Sequence, residues 1–276
     1  MNRESLRKLA EETLEVLRTG SYITKSGASV VLRTELDRAA RATHLHRPID
    51  FPLTLPEPRF GQPPAITVTN ETTGVAAARV VSAGPVCALN FASAKKPGGG
   101  FLSGAVAQEE DLTRCSGLYP CLLAQADYYE QNRHANAMYS DHIIYSPAVP
   151  FFRDDQLMLL AKPFLCSIIT APAPNASAIE RSDTPDVRAA LRQCLRERAL
   201  KVLQVAAAAG EERLVLGAWG CGVFKNAPPD VSEAFDLALQ RMAGYFREIV
   251  FAVYDHTPEQ SNLNAFKARF SHLKPW

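Results

Sequence analysis

Several chemistries are missing from this chain before any residue is weighed for what it offers. Its six cysteines, Cys87, Cys115, Cys121, Cys166, Cys194 and Cys221, are scattered over 276 residues, and no two form a CxxC pair. They are too few for a disulfide scaffold and several sit in apolar runs, so they read as reduced, buried thiols of a cytoplasmic protein. The six histidines form no ligand set: HExxH is absent, and His44, His46, His134 and His142 do not fall at metal-motif spacing. An EF-hand loop, a GxSxG elbow, a Walker loop and a GxGxxG fingerprint are also lacking. These gaps disfavour a metal enzyme, a serine hydrolase and the two commonest nucleotide-binding motifs. Neither sign of charge dominates. Thirty Lys and Arg against 29 Asp and Glu leave a net +1, which argues against a broadly basic nucleic-acid or membrane binder. No apolar run approaches a membrane span, and the first residues carry charges throughout, unlike a signal peptide.

What remains is a chain with 47% apolar residues, long enough to bury a sizeable core. Leu6, Leu9, Ala10, Thr13, Leu14 and Leu17 repeat at helical spacing; Asn2 or Ser5 is the candidate cap and Gly20 the stop. ITKSGASVVL reads as a hairpin. Prolines at 48, 52, 56, 58, 63 and 64 then exclude regular helix or central strand. Residues 1–64 are expected to be an N-terminal extension, helical and then proline-rich, on a main domain of residues 65–276.

From Ala65 the pattern changes. Short β-branched runs (AITVT, AARVVS, VCALNFA, HIIYS, LCSIIT, RLVLGAW and EIVFAVY) read as strands, several of them separated by helical patterns. The clearest helix takes Asp183 or Thr184 as cap, Pro185 at its first position, and ends at Gly210. Another starts at Asp230, and the tail from about Glu259 is expected to pack as a short helix. Alternating strands and helices predict an α/β fold around a mostly parallel sheet, with ligands at the carboxyl ends of its strands.

Two glycine-rich segments follow predicted strands. In the first, a strand containing Asn90 runs into Gly98, Gly99 and Gly100, and seven residues later come Gln108, Glu109 and Glu110. Bare backbone of this kind suits close approach to phosphate or ribose oxygens, although three glycines alone also make an ordinary flexible turn. Two acids at a helix start also complement the helix dipole, and neighbours in sequence do not share a helix face. In the second, LVLGAWGCGVFKN, the amides around Gly217, Gly220, Cys221, Gly222 and Val223 suit an anion. Phe224 is there either to stack on a base or ribose or to close the loop as a core aromatic. Asn175 ends another strand near the same sheet edge. Arg153, Asp154 and Asp155 read as loop structure rather than chemistry.

GGG, seven residues and QEE, within LNFASAKKPGGGFLSGAVAQEE and followed by SGLYP, resemble the hallmark of the microbial poly(ADP-ribose) glycohydrolases. YSPAVPFFRDD, TAPAPNA and LGAWGCGVFKN match that family's style and order, so the resemblance spans roughly Ala65 to Tyr254. It implies a macrodomain-like mixed central sheet flanked by helices, and a cytoplasmic enzyme of the DNA damage response. Such an enzyme cleaves the ribose–ribose bond of poly(ADP-ribose), also on ADP-ribosylated proteins, without metal or other cofactor. Carried over by position, Glu110 is the catalytic acid and Glu109 binds and orients the scissile ribose. Gln108 supports the loop, Asn90 is a ribose-hydroxyl ligand, and Gly98, Gly99 and Gly100 pack against diphosphate and ribose. Gly217, Gly220, Cys221, Gly222 and Val223 hold the diphosphate, and Phe224 contacts the nucleoside or ribose. The alternatives are a mono-ADP-ribosyl hydrolase on protein or nucleic-acid acceptors, a non-catalytic ADP-ribose reader, and an ordinary nucleotide-binding α/β protein.

Overall fold

The computed structural model describes residues 2–179 and 184–271. Helix α1 (Arg3–Thr19) starts at Asn2, whose side chain accepts from the Ser5 amide, and stops at Gly20 in the left-handed region. Strands β1 (Ser21–Ile23) and β2 (Ser29–Val31) form the expected hairpin. Helix α2 (Arg33–Ala42) then leads to β3 (His44–His46). The proline-rich stretch that follows holds one 3-10 turn, Pro48–Asp50.

The main sheet has seven strands, in the order β3-β6-β7-β5-β8-β9-β4. These are β4 (Ala65–Thr69), β5 (Cys87–Phe91), β6 (Ile143–Arg153), β7 (Leu159–Ala171), β8 (Arg213–Leu216) and β9 (Glu248–Ala252), with β3 at one edge. Pairs β4–β9, β8–β9, β5–β8 and β5–β7 are parallel; β6–β7 and β3–β6 are antiparallel. The sheet is therefore mixed, and the segment before residue 65 supplies its edge strand.

Successive side chains of the central strands go to opposite cores. Cys87, Leu89, Leu214, Leu216, Ile249 and Phe251 pack with α7 (Pro185–Ala208), α8 (Pro228–Arg241) and α9 (Ser261–Phe270). Ala88, Val215 and Val250 pack on the other face with α3 (Thr73–Val80), α4 (Gln108–Cys115), α5 (Leu118–Leu123) and α6 (Ala126–Arg133). Burial on both faces is why these strands read as continuous apolar runs rather than alternating ones.

AARVVS is not a strand. Its first residues belong to α3, and a 3-10 turn follows at Val81–Ala83. The Thr72 hydroxyl caps that helix by accepting from the Val75 amide, and Ala76, Ala77 and Val80 make its buried face. A helical stripe of small residues outweighs the local valine pair. Helix α8 begins two residues before Asp230, because Pro228 and Pro229 are tolerated in a first turn whose amides have no intrahelical partner. Thr184 caps α7; the other candidate cap, Asp183, lies outside the described residues, as does the tail from 272 to 276. None of the described helices is long and apolar enough to cross a membrane.

Candidate functional site

The site is built at the carboxyl end of β5. Asn90, next to last in that strand, is fully buried. Its Nδ2 donates to Glu109 Oε1 at 3.2 Å and to Thr170 Oγ1, at the end of β7, also at 3.2 Å. Asn90 Oδ1 is buried with no hydrogen-bond partner among the described residues. Just past the strand, the Ser93 amide donates to Glu109 Oε2 at 2.7 Å. Glu109 is thus fixed through both oxygens and only 3% exposed. Burial pushes its carboxyl up to about 8, against the pull of the Ser93 amide and the Asn90 amide group.

Helix α4 places the three QEE side chains in three directions, as neighbours on a helix must lie. Gln108 turns towards the strand: its Oε1 accepts from the Phe91 amide at 2.8 Å, and its Nε2 donates to Leu89 O at 2.7 Å and Thr73 Oγ1 at 3.1 Å. Glu109 points into the protein. Glu110 is half-buried, and its Oε1 accepts from the Gly100 amide at 2.8 Å. Its second oxygen has no partner among the described residues.

The triple glycine fits round this pair. Gly98 and Gly99 have φ of 67° and 59°. A Cβ on Gly99 would strike Glu110 Oε1 and come within 2.9 Å of Glu110 Cδ and 3.1 Å of Glu109 Oε2. The space between the carboxyls and the loop exists because there is no side chain in it. Asn90, Gly98, Gly99, Gly100, Gln108, Glu109 and Glu110 therefore lie together at the end of β5.

The second loop leaves β8 beside them. A Cβ on Gly217 would lie 2.9 Å from Phe91 Cζ and closer still to Ala252 O, so this glycine permits the two loops to meet. The amides of Gly220, Gly222, Val223 and Phe224 donate to no acceptor among the described residues. They form a set of free donors of the kind that suits an anion. Val223 is exposed and Cys221 half-buried, its thiol pushed up to about 12 by burial. Phe224 packs partly on the core, and its ring lies 5.8 Å from that of Tyr139. Asn226 anchors the loop's end through Nδ2 on Pro174 O at 2.8 Å, and Trp219 Nε1 donates to Ala171 O at 3.1 Å. No hydrogen bond joins this loop to the carboxyl pair among the described residues. Asn175 sits beside this ring pair, with Nδ2 3.4 Å from the Tyr139 hydroxyl.

Sequence reasoning missed Ser93, Thr170, Tyr139 and two buried arginines, Arg114 and Arg198. Ser93 acts through its amide, which no residue type signals. Thr170 and Tyr139 lie 80 and 49 residues from Asn90, outside any local motif. Arg198 left a trace, since it stands between the apolar positions Leu195 and Val202 of a helical stripe, whereas Arg114, in the polar run QEEDLTRC, left none. Arg153, expected in a loop, is instead the last residue of strand β6, buried and paired with Glu12 of α1 at 2.9 Å. Among the described residues, no three or more His, Cys, Asp or Glu side chains are grouped to hold a metal.

No curated protein sequence matches the chain significantly. The model of the microbial-type PARG catalytic domain matches residues 10–154, which include the whole carboxyl pair and triple glycine. The crystal structure of poly(ADP-ribose) glycohydrolase from Thermomonospora curvata superposes with a TM-score of 0.91 at 45% identity, covering 97% of this chain and all of that one. The same enzyme bound to the inhibitor ADP-HPD gives 0.89 over the same shares at 45% identity. The Deinococcus radiodurans enzyme in complex with ADP-ribose gives 0.80 at 44% identity, covering 87% of this chain and 98% of that one. With the family model over more than half its length and relatives at this identity over nearly all of it, the chain belongs to the microbial-type poly(ADP-ribose) glycohydrolases.

Proposed function

We propose that this chain hydrolyses the ribose–ribose O-glycosidic bond of poly(ADP-ribose) and releases ADP-ribose, on a macrodomain-type fold. The observation that carries the proposal is the Glu109–Glu110 pair, held over the side-chain-free Gly98–Gly100 turn at the end of β5. ADP-ribosylated proteins are the natural carriers of such a polymer. Six free cysteines support a reducing, cytoplasmic setting.

Glycosidic cleavage passes through an oxocarbenium-like transition state, and the departing ribose oxygen needs a proton. Glu110 supplies it. One of its oxygens is oriented by the Gly100 amide, and the other is unpartnered and available at the half-buried loop surface. Water then adds to the anomeric carbon, and its proton returns to Glu110. Glu109 lies deeper, with Oε2 bordering the side-chain-free turn 3.1 Å from where a Gly99 Cβ would stand. Its role is to bind a hydroxyl of the scissile ribose, held in place by Asn90 and Ser93. Burial keeps its proton on near neutrality, so it adds no full charge beside the proton donor. Adjacent acids do not straddle a bond as a conventional glycosidase pair does. The substrate's own diphosphate, gripped by the free amides of the second loop, positions the attacking water.

One observation favours a second assignment of the acid: Glu109 is the carboxyl that holds a proton to about pH 8. Two variants separate the assignments. Glu110→Gln is expected to abolish ADP-ribose release from polymer while ADP-ribose still binds by calorimetry. Full turnover in that variant, with loss only in Glu109→Gln, moves the acid to Glu109. Absence of both hydrolysis and ADP-ribose binding in the unaltered protein removes the proposed function.

A further inference from the structure

Helix α7 carries an arginine where its stripe should be apolar. Arg198 is three residues after Leu195 and four before Val202, both fully buried, and is itself only 2% exposed. Removing a guanidinium from water costs several kcal/mol unless its donors are well used. Here they are. Nε donates to Asp141 Oδ1 at 2.7 Å; Nη1 donates to Met138 O and Pro172 O, both at 2.9 Å; Nη2 is 3.4 Å from Tyr139 O. Lys201, one turn on, also pairs with Asp141.

The carbonyls so gathered belong to two separate segments: the loop before β6, and the exit of β7. Those segments carry the wall that Tyr139 and Asn175 form beside Phe224 of the second glycine loop. Tyr139 sits in the loop with φ of 56°, a conformation that costs about 1–3 kcal/mol in a residue with a side chain and persists only where surroundings enforce it. Its ring faces Phe224. Asn175, from the β7 exit, donates its amide to Ala137 O at 2.7 Å and its Nδ2 to the Tyr139 hydroxyl. The Ser177 amide, from the same exit, donates to Phe224 O at 2.9 Å. Among the described residues, Arg198 is the one side chain from outside the two segments that is bonded to both of them.

We propose that Arg198, oriented by Asp141, is a positioning residue for substrate binding: it fixes the Tyr139–Phe224 wall without touching substrate. The proposal rests on the glycohydrolase reading above. A planar fork with five N–H groups reaches the carboxylate and three carbonyls together, whereas a lysine ammonium offers three donors from one point. Charge alone is therefore insufficient, and the conservative change should fail.

The test uses Arg198→Lys and, so that the outcome does not hang on the folding of one variant, Asp141→Asn. Both are assayed in the full chain for polymer hydrolysis and for ADP-ribose affinity by calorimetry. The expected result is a rise of about tenfold or more in KM and in the ADP-ribose Kd, with kcat at saturating polymer within about twofold of the unaltered protein. A structural role alone would reduce the active fraction, lowering kcat while the remaining sites keep their Kd. Unchanged Kd in both variants, or loss of kcat at unchanged KM, overturns the proposal. The unaltered protein serves as the separate check. If it hydrolyses polymer and binds ADP-ribose while the variants keep its affinity, only the role of Arg198 falls. If it does neither, the functional reading falls.

Discussion

Gly99 and Glu110 occupy what would otherwise be the same space: a side chain on the glycine would meet Oε1 and Cδ of the glutamate. The contact is with the carboxyl that also accepts from Gly100, so the smallest change to the turn acts directly on the proposed acid.

Gly99→Ala is therefore expected to lower polymer hydrolysis by about 100-fold or more, the order of loss that follows a misplacement of about 1 Å in a catalytic group. Its φ of 59° adds a strain of about 1–2 kcal/mol, absorbed by the loop. Steady-state rates and a thermal melt together check this. A near-normal rate would mean that Glu110 is free to move aside, and that its present position is not the working one.

Glu109 makes stability depend on pH in an unusual direction for a carboxyl. Its folded-state value, about 8, lies above the ordinary 4.5, so between these values the native state binds the extra proton. Stability from this group is fully present below about pH 4.5 and is lost as pH rises through 8. Glu109→Gln removes the titration. Urea unfolding from pH 5 to 9 should show the unaltered protein losing on the order of a few kcal/mol relative to the variant. Parallel curves for the two proteins would contradict the buried, protonated state.

Much of the fold is legible because it follows local rules. Asn2 and Gly20 bound α1, Thr184 and Pro185 open α7, and the hairpin and central strands lie where their side chains predict. The carboxyl pair and glycine turn are legible because their parts lie within 13 residues of one another, Gly98 to Glu110. What stayed hidden is made by pairings across the sheet. Thr170 reaches Asn90 only because β7 lies beside β5 in register, with Asn90 opposite Thr170. Tyr139 meets Phe224 only when two loops 85 residues apart are brought together. The α3 helix was obscured differently: Val80 and Val81 suggest a strand, but the Thr72 cap and the buried alanines decide otherwise.

Gln108 ties α4 to β5, using both ends of its amide. The isosteric Gln108→Glu keeps an acceptor for the Phe91 amide but sets a second acceptor against Leu89 O. An unsatisfied or opposed buried polar group costs about 1–3 kcal/mol. Chemical denaturation should find a loss of that size in Gln108→Glu, with a larger fall in activity than in stability, because the start of α4 shifts. Stability equal to that of the unaltered protein would show that the glutamate is protonated and donates in place of the amide nitrogen.

A second buried arginine stands behind the loop before α4 as Arg198 stands behind the Tyr139–Phe224 wall. Arg114, on α4, is fully buried; its Nη2 donates to Ala105 O at 2.8 Å and its Nη1 pairs with Asp111 at 2.9 Å. Its own carbonyl accepts from Thr13 of α1 at 2.8 Å, so the N-terminal helix is linked to the same support. Ala105 lies in the turn between Gly100 and Gln108, where any slackening moves Glu110 relative to its glycine amide. Arg114→Lys keeps the charge but not the fork, and should lower kcat by about tenfold or more while the ADP-ribose Kd changes little. This is the reverse of the pattern expected for Arg198→Lys. The two variants, measured side by side for kcat, KM and Kd, show whether the two walls have separate duties. Identical profiles would mean that the arginines hold the fold as a whole rather than one wall each.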